Sequence, residues 1–304
     1  MRVADFAPLL VLLIANQVTA GTHAFRPWPQ LPVTVSLHGP ASAALLRPAE
    51  DAMAEIFAVC GYLLGPLNRD QATPLDISLD AGAVTAASDA APWAPELFCK
   101  VFAWWCDCRE LTLAPWLREG AAQYYAWRLG ETRGWLDAAA SRAFVSRCAR
   151  AYFGSPRAGG ISPEEAGRPW HRRNHAALLR GAGFLAALGL DARLRTRGET
   201  LADTLHRLTA DRREVGTDDL AQALAAADDP SIQTFIQRHI QGVHFLPAAQ
   251  DLAAEGFALK VDPIQGLASV DTLTESLPAR AVGAETGAVA VPVRAGILPP
   301  SRAY

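Results

Sequence analysis

Helix-forming signals fill the middle of this chain, from Pro95 to about residue 256, and they restrict its fold more than any other feature. Pro115 suits the first turn of a helix, where its missing N–H group is not needed. Ser162 is followed by a proline and two glutamates, which is the pattern of a capped helix N-terminus. Thr217 precedes two aspartates, whose negative charges suit the positive end of a helix dipole. These signals predict a mainly α (α+β) fold with a helical domain at residues 95–260.

The segments on either side of this helical domain have other patterns. Residues 33–37 alternate like a short strand, residues 41–64 have a helical pattern, and residues 75–79 are a second possible strand. Beyond the helical domain the chain is rich in Ala, Gly, Val, Thr and Pro. We therefore expect a small α/β region at residues 21–94 and an extended or loosely ordered tail at residues 261–304.

Residues 1–20 have the pattern of a secretory signal peptide. Arg2 supplies a positive start, residues 9–15 form a compact apolar run, and small side chains lie at Val18 and Ala20, before the predicted cleavage site. A second cleavage position follows Ala24, and a buried N-terminal helix or strand is the alternative reading. The pattern predicts an exported protein, periplasmic or secreted.

Composition and charge exclude several classes of protein. At 50% apolar and 19% charged residues, the chain has enough apolar mass for a folded core. A net charge of −3 argues against a nucleic-acid partner, which requires a basic surface. No apolar run reaches the roughly 18–20 residues of a spanning helix, so no transmembrane segment is expected after signal removal. Five cysteines are an odd number, so at least one thiol stays free or pairs between chains.

The segment from Pro115 to Trp127 is the most distinctive part of the helical region. On a helix, Trp116, Gly120 and Tyr124 lie on one apolar stripe, and Glu119 lies at the edge of that stripe. The pattern alone is typical of a core helix with one acidic residue at its margin.

In detail, this helix resembles one that carries the third zinc ligand in gluzincin metallopeptidases. A tryptophan, a Glu-Gly pair at Glu119 and Gly120, and a Tyr-Tyr pair are most similar to the glycyl aminopeptidase family, a PDZ-associated group. The resemblance covers residues 95–260 and implies a thermolysin-like helical domain. Later fragments similar to that family follow in the same order: Arg180-Gly181, residues 190–195, 201–205, 218–220 and 242–247.

The same resemblance shows which chemical groups are absent from the sequence. In that family a preceding helix carries His-Glu-x-x-His, which binds zinc and activates water. The matching positions here are Cys99 and Ala103 for the histidines and Lys100 for the general base, and residues 90–110 contain no histidine. Glu119 is the vestigial third ligand, and Leu178 stands where the family has the tyrosine that steadies the oxyanion. The resemblance therefore implies that no catalytic residue is intact and that no metal is bound.

Other groupings leave open alternatives for metal or thiol chemistry. His171 and His175 have the spacing of two ligands on one helix, although two arginines lie between them. Cys106 and Cys108 could form a compact metal clip or an intermolecular disulfide. Cys99 could act as the nucleophile of a thiol hydrolase, although its apolar neighbours would raise the pKa of its thiol.

The leading functional prediction is an exported metallopeptidase-like protein that has lost its zinc site. Such a pseudopeptidase would need no cofactor and would bind a peptide or protein partner. One alternative is an active zinc hydrolase with relocated ligands, using Glu119, His171 and His175. A second alternative is a structural protein of the cell envelope.

Overall fold

A computed structural model describes seven stretches of the chain. The predicted signal segment and the tail beyond residue 272 lie outside them. The described residues are 22–26, 31–38, 42–67, 72–80, 93–225, 230–261 and 268–272.

Helices dominate the described residues, and the strands are short. The strands are β1 Thr22–Phe25, β2 Val33–His38, β3 Leu75–Asp80, β4 Thr112–Leu113, β5 Glu214–Val215, β6 Phe257–Val261 and β7 Ala268–Thr272. The helices are α1 Ser42–Leu64, α2 Ala94–Cys108, α3 Pro115–Thr132, α4 Ala138–Phe153, α5 Pro163–Ala166, α6 Pro169–Arg172, α7 Ala176–Arg195, α8 Leu201–Ala210, α9 Thr217–Ala225, α10 Pro230–Phe235 and α11 Ala248–Ala254. A π-helical segment, Ile236–Gln241, continues α10.

The strands form three separate small sheets. In the first, β2 pairs antiparallel with β1 and parallel with β3, with Val33 opposite Leu75. The helix α1 makes the connection that a parallel pair requires. The two-residue strands β4 and β5 pair in parallel, and β6 and β7 form an antiparallel pair. Both strands predicted in the N-terminal region are present as β2 and β3.

The core is centred on the contact between α3 and α7. Trp116 and Trp127 of α3 are fully buried, as is Phe184 of α7. The two backbones touch at Gly120 and Gly183, because a Cβ atom on Gly120 would lie only 2.3 Å from the carbonyl oxygen of Gly183. Glycine at these positions therefore allows the two long helices to pack at their closest approach.

Side-chain caps define where several helices begin. The hydroxyl of Ser162 accepts a hydrogen bond from the backbone N–H of Glu165 at 3.0 Å, and α5 begins at the following proline, as predicted. Asp137 caps α4 and Thr200 caps α8 in the same manner. Helix α3 begins at Pro115, the position that the sequence pattern favoured.

The last described strand is attached to the helical domain. The hydroxyl of Ser146 on α4 donates to the carbonyl oxygen of Val270 and accepts from its N–H group, at 3.3 and 3.0 Å. Residues 268–272, which lie in the region predicted as a tail, are thus an extended strand packed on α4.

None of the helices in the described residues is both long enough and apolar enough to cross a bilayer.

Candidate functional site

Helices α2 and α3 bring together the positions that resemble a zinc site. The thiol of Cys99 on α2 accepts a hydrogen bond from the side-chain amide of Gln123 on α3, at 3.2 Å. The guanidinium of Arg118 donates to the carbonyl oxygen of Ala103 at 3.2 Å and to the carboxylate of Asp107 at 2.8 Å. Cys99 and Ala103 of α2 therefore both contact side chains of α3.

Lys100 and Ala103 provide no group for metal chemistry. Ala103 is half-buried and has no donor atom in its side chain. The ammonium group of Lys100 lies at the surface, 3.1 Å from the carboxylate of Glu96 one turn earlier on α2. A cation at the position of the general base repels a divalent ion and holds no lone pair to accept a proton.

The carboxylate of Glu119 is already next to a cation. Its Oε1 atom lies 3.6 Å from a guanidinium nitrogen of Arg172, the last residue of α6. Both side chains are partly open to solvent, Glu119 at 32% and Arg172 at 48%. The charge of Glu119 is thus partly neutralised by an arginine.

The thiol of Cys99 is protonated at neutral pH. Burial raises its pKa to about 12, the negative charge of Glu119 raises it as well, and the Arg147 guanidinium opposes this rise. A neutral thiol is a poor nucleophile and a poor metal ligand.

Helices α4 and α7 pack closely, and each carries an arginine next to the contact in sequence, Arg147 before Cys148 and Arg180 before Gly181. A Cβ atom on Gly181 would lie 2.6 Å from the carbonyl oxygen of Cys148. Burial raises the pKa of the Cys148 thiol to about 12, and the guanidinium groups of Arg147 and Arg180 both oppose that rise. Both arginines are exposed. The sequence pattern includes Arg180 only through the Arg180-Gly181 pair, and it does not point to Arg147, which lies on a different helix.

Three ion pairs involve α2 and α3: Lys100 with Glu96, Arg118 with Asp107, and Arg172 with Glu119. Neither Arg147 nor Arg180 forms an ion pair with a carboxylate of the described residues. The guanidinium group of Arg147 lies over the ring of Phe144, 4.6 Å from the ring centroid.

Leu178 is part of the hydrophobic core. Its side chain is only 3% exposed, in the first turn of α7. An apolar side chain at this position has no hydroxyl group with which to stabilise an oxyanion.

His171 and His175 are close together but do not share one helix. Helix α6 ends at Arg172, and His175 precedes the first residue of α7, so a helix boundary lies between the two histidines. Their ring centroids are 5.6 Å apart, and Nε2 of His171 lies 3.4 Å from a carboxylate oxygen of Glu165. Across the described stretches, no three His, Cys, Asp or Glu side chains are grouped so that they could hold a metal ion.

All five cysteines are free thiols in this structure. Cys106 and Cys108 are both buried, and burial raises the pKa of the Cys106 thiol to about 12. The metal clip or intermolecular disulfide considered for this pair would need these buried side chains to be accessible.

Comparison with known proteins gives a match at the level of structure. No family model matches the sequence, and neither does any curated protein. The crystal structure of an aminopeptidase N family protein from Idiomarina loihiensis matches with a TM-score of 0.57 and 15% sequence identity. The match covers 79% of this chain and 50% of the other, so this chain spans about half the length of that protein. The likeness shows the fold alone, an α-rich α+β domain resembling an aminopeptidase-family fold, and it confirms the predicted fold class.

Proposed function

We propose that this protein is a peptidase-like domain that does not hydrolyse peptides and instead binds a peptide or protein partner on the face where a peptidase would hold zinc. The observation that carries this proposal is the pairing of Glu119 with Arg172, next to Cys99, Lys100 and Ala103. The carboxylate of Glu119 lies beside the guanidinium group of Arg172, and the neighbouring side chains offer no second strong metal ligand.

The donor set around Glu119 does not fit a catalytic zinc ion. Such an ion needs three protein ligands, usually neutral imidazoles and carboxylates, and a fourth position for water. Here the thiol of Cys99 is protonated, Ala103 has no ligand atom, and the neighbouring charges are largely positive. Bringing a divalent cation to this place would cost Coulomb energy that the single carboxylate does not offset.

The structural likeness to an aminopeptidase N family protein supports a peptidase-like origin for the fold. Within that wider group, the tryptophan, Glu-Gly and Tyr-Tyr pattern of α3 favours descent from the glycyl aminopeptidase family. The signal pattern of residues 1–20 supports export, to the periplasm or to the medium.

An active hydrolase with relocated zinc ligands is the second candidate function. The observation in its favour is the 5.6 Å separation of the His171 and His175 rings, close to the segment that contacts Glu119. Against it, Arg172 lies between the two histidines in sequence and brings its positive charge to Glu119.

Zinc content separates these two candidates. We expect the purified protein, dialysed against micromolar zinc and then desalted, to retain far less than one zinc ion per chain. We expect Glu119→Ala to change this value little. Near-stoichiometric zinc that is lost in Glu119→Ala and in His171→Ala would instead establish the relocated site.

Peptide retention separates a binding protein from a structural envelope protein. On an array of peptides of diverse sequence, a binding face retains a defined subset, and unlabelled members of that subset compete for it. A protein whose only role is structural retains nothing above background, and that result would contradict the proposal.

A further inference from the structure

We infer that the outer edge of β6, the edge that does not pair with β7, binds a strand formed by residues 288–293 of this same chain. The inference goes beyond the proposed function, because it concerns a different part of the fold. It follows from the hydrogen bonds around β7, from the apolar face of β6, and from the sequence of residues 288–293, which lie outside the described residues.

The hydrogen bonds of Val270 show which way the backbone groups of β6 point. The N–H and C=O groups of Val270 both bond to the hydroxyl of Ser146 on α4, at 3.0 and 3.3 Å, so they point away from β6. Leu259 of β6 lies directly opposite Val270. Opposite residues of an antiparallel ladder alternate between pairs that exchange hydrogen bonds and pairs that do not. The backbone groups of Phe257, Leu259 and Val261 therefore point to the outer edge of β6.

This outer edge is open and apolar. The backbone groups of Phe257, Leu259 and Val261 form no hydrogen bond with another residue that the structure describes. Their side chains share one face of the strand. Phe257 is buried, with its ring centroid 6.1 Å from that of Trp127, Leu259 is half-buried, and Val261 is 42% exposed. An open edge is a template for another strand, and a strand with apolar side chains on this face would cover Val261.

Residues 288–293 have the sequence that such a strand requires. They read Ala-Val-Ala-Val-Pro-Val, so that Val289, Val291 and Val293 alternate with small residues or proline. A period of two places the three valines on one face of an extended strand. Valine is also favoured in strands, because its branched side chain packs well on a pleated surface.

Pro292 determines which backbone groups of this strand would pair with β6. Proline has no N–H group, so in a sheet it belongs at an edge position where that group would face solvent. The backbone groups of Val291 and Val293 then point towards β6. Residues that lie opposite each other in a ladder have side chains on the same face, so the valines lie beside Leu259 and Val261. A single alignment thus accommodates the proline and extends the apolar face.

The chain is long enough to reach this edge. With Val291 opposite Leu259 and the added strand antiparallel to β6, the fifteen residues 273–287 connect β7 to it. The path crosses two strand spacings and returns along β6, roughly 17 Å in all. Fifteen extended residues reach about 50 Å, and a crossover between strands of the same direction needs a dozen or more residues. The tether also gives the segment a high effective concentration at this edge.

Residue-resolved hydrogen exchange on the full-length protein tests this inference. We expect the amides of Leu259 and Val261 to exchange at least about tenfold more slowly in wild type than in Val291→Pro, which removes an N–H group that would pair with β6. Ala290→Pro is the matched control, because the N–H group that it removes would face solvent, and exchange should stay within about threefold of wild type. The amide of Lys260 pairs with β7 and should be equally protected in all three proteins, which shows that the β6–β7 pair is intact.

Three results would overturn the inference. The first is equal exchange of the Leu259 amide in wild type and Val291→Pro. The second is an equal loss of protection in Val291→Pro and Ala290→Pro, which would contradict the alignment set by Pro292. The third is protection that falls when the protein is diluted about tenfold, since this would mean that a second copy pairs with the edge. We expect the protection to be independent of concentration, and none of these results bears on the proposed function.

Discussion

The two ends of α7 carry arginines in opposite situations. At the C-terminal end, Arg195 is ion-paired with Asp191 at 3.0 Å and with Glu255, which also binds Arg128 of α3 at 2.6 Å. Near the N-terminal end, Arg180 is exposed and has no carboxylate partner in the described residues. The C-terminal end of α7 thus belongs to a network of paired charges, which we call the closed network. Its N-terminal end, which we call the open end, carries an arginine without an ionic partner.

The difference separates arginines that stabilise the fold from arginines that add little to it. Arg128 and Glu255 are only 13% and 9% exposed, and the hydroxyl of Tyr124 joins the network by donating to Asp191 at 2.5 Å. A buried network with every charge paired stabilises the packing of the helices that it joins. Exposed guanidinium groups without an ionic partner add little to stability.

The largest expected effect is the loss of Glu255. Glu255→Gln removes the carboxylate shared by Arg128 and Arg195, and we expect it to reduce the free energy of unfolding by about 3–5 kcal/mol, as for other broken buried ion pairs. Urea unfolding followed by circular dichroism measures this. A loss below about 1 kcal/mol would mean that the closed network does not stabilise the folded state.

Asp191→Asn is expected to have the next largest effect. The carboxylate of Asp191 accepts hydrogen bonds from the backbone N–H of Leu201, at 2.8 Å, and from the hydroxyl of Tyr124. The single amide oxygen of an asparagine can accept only some of these hydrogen bonds. We expect a loss of about 1–3 kcal/mol in the same unfolding experiment. Asp211→Asn, on an exposed residue after α8, is the control and should cost nothing measurable.

The closed network also predicts a dependence of stability on pH. Burial alone would raise the pKa of Glu255, but the guanidinium groups of Arg128 and Arg195 more than offset this and lower it below its usual value. A carboxyl with a lowered pKa contributes stability above its unfolded pKa of about 4.3, and this contribution is lost as the pH falls. We therefore expect the stability difference between wild type and Glu255→Gln to shrink between about pH 5 and pH 2. A difference that stays constant would contradict this assignment.

The smallest expected effect belongs to the open end of α7. Arg147→Gln/Arg180→Gln should change the free energy of unfolding by less than about 1 kcal/mol, because neither side chain has an ionic partner and Arg147 loses only an exposed cation–π contact with Phe144. Thermal melts of the variant and wild type in parallel measure this. A loss of several kcal/mol would show that these arginines are structural and would remove the contrast between the two ends.

Local sequence patterns predicted the helical part of the fold. The caps at Ser162 and the start of α3 at Pro115 follow from residue types within a single turn, and the strands β2 and β3 follow from their alternation. The contact of Gly120 with Gly183 joins residues far apart in the sequence, so no local pattern shows it.

Only part of the candidate site was predictable. The residue types at Cys99, Lys100 and Ala103 show directly that histidines are absent. The pairing of Glu119 with Arg172 depends on where α6 lies relative to α3, and only the tertiary structure provides this contact.

Peptide cleavage tests the central claim most directly. The pure full-length protein is incubated with a defined peptide mixture under three conditions, with zinc, without added metal and with a chelator, and the products are identified by mass spectrometry. We expect the three product profiles to be identical and to contain no new termini. Cleavage that the chelator abolishes and zinc restores would contradict the claim that this face binds peptides without hydrolysing them.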